Sequence, residues 1–140
     1  MNFSTEFSRR YEKVPVSIFH EQSDATASII EAVIKKTSEK ISEKKKCVLA
    51  LAASSSCIHV YEEMVKAYEA GRLDFRNIEI FSIDEYYPLD RNELQSHYRF
   101  FKEYLFDLVN IPQENIHCLQ SNRMENVLAY CAKFEKEIED

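Results

Sequence analysis

A continuous apolar run, Cys47–Ala53, constrains the fold of this chain more than any other feature of its sequence. Strands that are buried on both faces, as in a parallel sheet, read as unbroken apolar stretches of this length. A second run, Ile78–Asp84, is also mainly apolar and ends on the acidic pair Asp84-Glu85. The two runs therefore predict two buried strands of a parallel sheet.

Helical periodicity fills the stretches between the predicted strands. Apolar residues recur at helical spacing from about 24 to 43, where Ser23 and Asp24 offer N-cap oxygens. A second helical face follows the first run, and Gly71 stands where that helix needs a C-terminal cap. The remaining predicted elements are an edge strand at Val16–His20, a helix over about 93–109, a short strand at Ile116–Leu119 and a last helix over about 123–139.

The predicted order alternates strictly between strand and helix. Such alternation is typical of an α/β fold whose parallel strands are joined by right-handed crossovers. We therefore expect a three-layer, Rossmann-like parallel sheet with helices on both faces. The length of 140 residues suits one domain, which we place at residues 16–140 after a polar N-terminal arm at residues 1–15.

Gly71 is the only glycine of the chain, and this scarcity excludes several ligand-binding loops. Dinucleotide-binding loops, P-loops and EF-hand loops all need glycines that this sequence lacks. The net charge of −6 argues against a nucleic-acid partner, and no apolar run approaches the ~20 residues that span a membrane. The cysteines form no C-x-x-C pair, so we expect no zinc site. Residues 1–15 lack the apolar centre of a signal peptide, so we expect a cytoplasmic protein with reduced thiols.

Ligands of open parallel sheets bind at the carboxyl ends of the strands, and this rule selects two loops. After the first run, Ser54, Ser55 and Ser56 combine hydroxyls with free backbone N–H groups at a helix N-terminus, which suits a phosphate as well as simple N-capping. After the second run, Asp84 and Glu85 could provide a general base in a cleft, or a helix cap or ion pair. Local sequence leaves both pairs of alternatives open.

Both loops lie in a longer stretch, Val48–Leu119, that resembles the N-terminal half of the glucosamine-6-phosphate deaminases (isomerases). The most specific segment, Leu73–Leu89, contains Phe81-Ser82-Ile83-Asp84-Glu85-Tyr86, which is similar to the family's Phe-Asn-x-Asp-Glu-Tyr signature. The segments Leu94–Phe100 and Ile111–His117 match further family phrases in the right order. The order and spacing of these matches indicate common ancestry.

The resemblance implies a reaction of carbohydrate metabolism and a set of site residues. The family converts glucosamine 6-phosphate and water to fructose 6-phosphate and ammonia: the sugar ring opens, an aspartate moves a proton between C2 and C1, and ammonia leaves. By this resemblance Asp84 is the enolisation base, Glu85 is a second catalytic candidate, and Ser54, Ser55 and Ser56 bind the substrate phosphate. We expect no cofactor and no metal.

Two of these regions depart from the family pattern. The family's phosphate loop usually reads Thr-Gly-(Gly/Ser)-(Thr/Ser)-Pro, where this chain has Ala53-Ser54-Ser55-Ser56-Cys57. Ala53 lacks a hydroxyl, Ser54 stands where a glycine can take strained dihedrals, and Cys57 replaces a proline suited to the first helical turn. In the signature, Ser82 stands in place of the usual asparagine.

The chain stops at Asp140, before the family's second half, which carries a ring-opening histidine and the basic residues of the phosphate clamp. None of His20, His59, His97 and His117 lies in a matching context, and we expect structural roles for His97 and His117, away from the strand ends. We therefore expect this half to be inactive alone and to be completed by a homo-oligomer or a complementing chain. The alternative is a non-catalytic domain that binds a sugar phosphate or another protein.

Overall fold

The fold is a three-stranded parallel sheet with helices packed against it. The computed structural model describes residues 16–120, 122 and 126–139, so the arm predicted at residues 1–15 lies outside the described residues. The strands are β1 (Cys47–Leu51), β2 (Ile78–Ser82) and β3 (Ile116–His117), in the spatial order β1-β2-β3. Cys47 pairs with Ile78, and Ile80 with Ile116, both in parallel register. The predicted parallel α/β sheet is confirmed.

Within the described residues, four α-helices alternate with the strands. They are α1 (Gln22–Ser42), α2 (Ile58–Glu69), α3 (His97–Tyr104) and α4 (Val127–Glu139). Short 3-10 turns occur at Ser55–Cys57, Phe75–Asn77, Phe106–Leu108 and Gln113–Asn115. None of the helices in the described part of the chain is long and apolar enough to cross a membrane.

The hydrophobic core lies on one face of the sheet. Ile78 and Ile80 of β2 are completely buried, as is Phe101 of α3. Ile30 of α1 and Met64 of α2 complete this layer, so three helices share one core with β1 and β2. Each such side chain contributes about 2 kcal/mol by leaving water. This core holds fixed the strand ends at which the candidate loops begin.

The opposite face of the sheet is only partly covered. Phe134 of α4 packs edge-on against Phe81 of β2, with 5.8 Å between ring centroids. Along β1, Cys47 and Leu51 are buried, whereas Val48 is 58% exposed and Ala50 is exposed. A groove of about 420 Å³ lies between this part of β1 and α4. The expectation that the Cys47–Ala53 strand is buried on both faces is therefore wrong within the described residues, because α4 leaves the outer side of β1 uncovered.

The predicted edge strand at Val16–His20 is not formed. Residues 16–19 have no regular structure, and Val16 and Ile18 are 68% and 93% exposed. β-prone side chains form a strand only when a neighbouring strand supplies hydrogen bonds and a surface to pack on, and no described strand pairs with these residues. Helix α1 also begins earlier than predicted, with Glu21 at the N-cap and no side-chain cap, which places Ser23 and Asp24 inside its first turn.

Other boundaries are confirmed or shortened. Gly71 follows α2 with φ +69°, the left-handed conformation that ends a helix. Helix α3 begins only at His97, behind the N-cap Ser96, and ends when Leu105 leaves the helical region at φ −145° and ψ −60°. Strand β3 is likewise shorter than predicted, because its pairing with β2 covers only Ile116–His117.

Candidate functional site

The two candidate loops begin at neighbouring strand ends on the same edge of the sheet. Leu51 and Ser82 are register partners at the carboxyl ends of β1 and β2. Beyond this pair, the Ile83 N–H donates a 3.0 Å hydrogen bond to the Leu51 carbonyl, which extends the pairing toward Asp84. The serine loop, Ser54–Ser56, leaves the same edge from β1. The structure therefore places the predicted site residues on adjacent loops, as the parallel sheet requires.

The serine loop leads into α2 through a 3-10 turn. Ser54 is the N-cap of that turn, and its hydroxyl accepts a hydrogen bond from the Ser56 N–H and contacts the Ser56 hydroxyl at 2.9 Å. Ser54 has φ −144° and ψ 144°, an extended conformation open to any residue, so this loop needs no glycine here. Ser55 and Ser56 are exposed. Ser54 thus caps the turn, and Ser55 and Ser56 are exposed residues just before α2.

Tyr61 anchors the start of the serine loop to the core. Its hydroxyl donates a 2.7 Å hydrogen bond to the Ala52 carbonyl, and its ring packs edge-on against Phe101. Only 2% of Tyr61 is exposed, and this burial raises the pKa of its phenol. The loop therefore starts from a fixed point rather than from a free strand end.

Glu85 caps the N-terminus of α3. Its carboxylate accepts hydrogen bonds from the His97 N–H at 3.0 Å, the Tyr98 N–H at 3.2 Å and the Ser96 hydroxyl at 2.8 Å. It also accepts one from the Tyr86 N–H at 2.9 Å. Two of these donors, the His97 and Tyr98 N–H groups, belong to the first turn of α3, whose N–H groups have no partner within the helix, and a negative charge there is favourable. Of the alternatives open for Glu85, the helix cap is the one that this geometry matches.

Asp84 is open to solvent, and a histidine lies against it. Its side chain is 65% exposed, and its Oδ1 lies 2.9 Å from Nδ1 of His97. The same nitrogen lies 3.0 Å from the Asp84 carbonyl oxygen. The expectation that His97 lies away from the strand ends is wrong, because Glu85 fixes the start of α3 beside β2. The sequence signal for this position is Ser96, an N-cap residue that makes His97 the first residue of α3.

Ser82 and His117 have structural contacts. Ser82 is 3% exposed, and its hydroxyl accepts a 3.1 Å hydrogen bond from the Leu119 N–H, which ties β2 to the chain after β3. Burial raises the pKa of the neighbouring Cys118 thiol to about 12. The His117 ring stacks on Phe81 at 4.3 Å, as expected for a structural histidine. Within the described ranges, no three histidine, cysteine or acidic residues are grouped as metal ligands would be.

Comparison with known proteins identifies the family that this chain resembles. The family model described as glucosamine-6-phosphate isomerases/6-phosphogluconolactonase matches residues 20–140. A glucosamine-6-phosphate deaminase of Lysinibacillus sphaericus is 35% identical over 126 residues, which are 90% of this chain and 50% of that protein. A glucosamine-6-phosphate isomerase of Candida albicans is 34% identical over 122 residues, covering 87% of this chain and 48% of that protein.

A solved structure shares the fold at lower sequence identity. A monomeric glucosamine-6-phosphate deaminase superimposes with a TM-score of 0.68 at 19% identity, over 81% of this chain and 47% of that one. The chain thus spans about half the length of these three relatives. On the strength of the family match and these relatives, the chain belongs to the glucosamine-6-phosphate isomerase/6-phosphogluconolactonase family.

Proposed function

We propose that this chain carries the proton-transfer part of a site for amino-sugar phosphates, with Asp84 as the enolisation base and the serine loop as the phosphate contact. One observation carries the proposal. Of the two adjacent carboxylates at the end of β2, Glu85 is held by four donors, whereas the Asp84 side chain is 65% exposed. A base needs a free oxygen that can reach its substrate, and Asp84 has one.

The chemistry suits a single carboxylate. In an open-chain sugar phosphate the proton on C2 is acidified by the neighbouring carbonyl at C1. Asp84 takes that proton while O1 gains one from solvent, so that the C1–C2 enol forms. Asp84 then returns its proton to C1 while the substituent on C2 loses one to solvent, which turns an aldose into a ketose derivative. Glu85 keeps the loop in place by capping α3 and takes no proton from the substrate, because its oxygens already accept four hydrogen bonds.

The proposed site is incomplete without further polypeptide. The Asp84 carboxylate and three serine hydroxyls supply neither a group that opens the ring nor a cationic clamp for the phosphate. Groups of these two kinds provide most of the transition-state stabilisation. We therefore expect no ammonia release from glucosamine 6-phosphate by the isolated chain above the rate in buffer. The exposed Val48 and Ala50 on β1 favour a complementing polypeptide that covers this side of the sheet.

A partial reaction tests the base without needing ring opening. Fructose 6-phosphate has an open-chain fraction in solution, so a base at the site can exchange its C1 hydrogen with solvent deuterium. We expect the chain to catalyse this exchange, as followed by proton NMR in heavy water. Asp84→Asn keeps the size of the exposed side chain and should abolish the exchange, whereas Asp24→Asn, an exposed carboxylate in α1, should leave it unchanged.

A second candidate function is sugar-phosphate binding without catalysis. The observation that favours it is the Ser54–Ser56 loop, which keeps two exposed serines, Ser55 and Ser56, just before α2 although its sequence departs from the family pattern. The two functions give different results in the same experiments. Saturable binding of glucosamine 6-phosphate together with exchange at the rate of Asp84→Asn would favour this second function over the first.

A further inference from the structure

The contact between His97 and Asp84 has a defined donor and acceptor. Nδ1 of His97 lies 3.0 Å from the Asp84 carbonyl oxygen and 2.9 Å from its Oδ1. A carbonyl oxygen can only accept a hydrogen bond, so Nδ1 carries the proton and donates to both oxygens. A neutral His97 therefore has its proton on Nδ1 and its lone pair on Nε2.

The imidazole itself is held in place. Only 13% of the His97 side chain is exposed, and the Tyr86 ring packs edge-on against it, with centroids 4.9 Å apart. The backbone N–H of His97 is bound to Glu85, which caps α3 at this residue. Because α3, Tyr86 and the Asp84 carbonyl all restrain the ring, His97 offers a fixed donor to an otherwise exposed carboxylate.

We propose that His97 is a positioning residue for Asp84. Its Nδ1–H holds Oδ1, which fixes the side-chain rotamer and leaves Oδ2 as the oxygen that takes the substrate proton. This inference rests on the proposed role of Asp84 as the base. Without the donor, the χ1 angle of an exposed aspartate spreads over three staggered wells, so only about one third of the molecules would present the carboxylate correctly.

The first test uses the unmodified chain and requires no activity. Imidazole nitrogen-15 shifts at alkaline pH, where histidine rings are neutral, should report the Nδ1–H form for His97. Three-bond couplings should report one χ1 rotamer for Asp84. In His97→Leu the couplings should become averaged, whereas in His97→Asn, whose amide nitrogen stands near the position of Nδ1, one rotamer should remain. An Nε2–H tautomer, averaged couplings in the unmodified chain, or a single rotamer in His97→Leu would overturn the proposal.

The second test measures the consequence for proton transfer. In the exchange of the fructose 6-phosphate C1 hydrogen, His97→Leu should lower the maximal rate about threefold at an unchanged half-saturating concentration, and His97→Asn should restore it. His59→Leu is the matched control, because His59 is exposed and pairs with Glu62. Equal maximal rates in His97→Leu and the unmodified chain would overturn the positioning role. An absence of exchange in every variant would contradict the base function of Asp84, while the couplings would still decide whether His97 holds it.

Discussion

Replacing Glu85 with alanine removes the acceptor on which the first turn of α3 depends. The His97 and Tyr98 N–H groups and the Ser96 hydroxyl would each lose a hydrogen bond. Ser96 is only 1% exposed, so water replaces its lost partner poorly. Each of these bonds contributes about 1 kcal/mol net, which gives a loss of about 3 kcal/mol in the free energy of unfolding.

Urea unfolding followed by circular dichroism measures this loss, and a thermal scan should show the melting temperature falling by roughly 9 °C. Glu85→Gln keeps one acceptor oxygen and should lose about half as much. Glu103→Ala, an exposed position on the same helix, should change the stability by less than about 0.5 kcal/mol. A loss in Glu85→Ala no larger than in this control would refute the reasoning, because α3 would then be capped well enough without Glu85.

Three further predictions concern other parts of the fold. The Arg76 guanidinium lowers the pKa of Asp74 from about 3.8 to about 2, so the ionised carboxylate stabilises the fold above pH 4 and this contribution is lost as the pH falls toward 2. Arg76→Ala should therefore shift acid unfolding to higher pH in a circular dichroism titration. An unchanged midpoint would contradict the assignment. Burial raises the pKa of Cys118 to about 12, while Cys131 is exposed. Iodoacetamide at pH 8 should therefore label Cys131 at least about tenfold faster than Cys118, as followed by mass spectrometry. Equal rates would show that Cys118 is accessible. Gly71→Ala should cost about 1 kcal/mol in urea unfolding because its φ is +69°, and a neutral effect would argue against that conformation.

The predictions that succeeded rest on local patterns. The apolar runs predicted β1 and β2 and their parallel arrangement, because a buried strand is apolar over its own length. The left-handed Gly71 marked the end of α2 for a similarly local reason. By contrast, the strand predicted at Val16–His20 needed a pairing partner that local propensity does not report.

The geometry around the candidate site could be predicted only in part. The rule that ligands bind at the carboxyl ends of parallel strands selected Asp84 and the serine loop from their positions alone. The contact of Asp84 with His97 spans 13 residues and depends on the cap that Glu85 places on α3, so no periodicity in the sequence encodes it. Similarly, the apolar sequence of β1 indicates burial on both faces, but Val48 is 58% exposed. Burial of the Val48 face depends on a helix packing against it, which the sequence of β1 alone does not report.

Calorimetric titration of the chain with glucosamine 6-phosphate measures whether the Ser54–Ser56 loop binds a sugar phosphate, which both the proton-transfer function and the binding function require. We expect saturable binding that Ser56→Ala weakens about fivefold, the equivalent of one hydrogen bond of about 1 kcal/mol. Ser38→Ala, an exposed serine on α1 that bonds the Ile34 carbonyl, should bind like the unmodified chain. No heat at millimolar ligand, or equal affinity in Ser56→Ala and the unmodified chain, would contradict the claim that this loop binds a sugar phosphate.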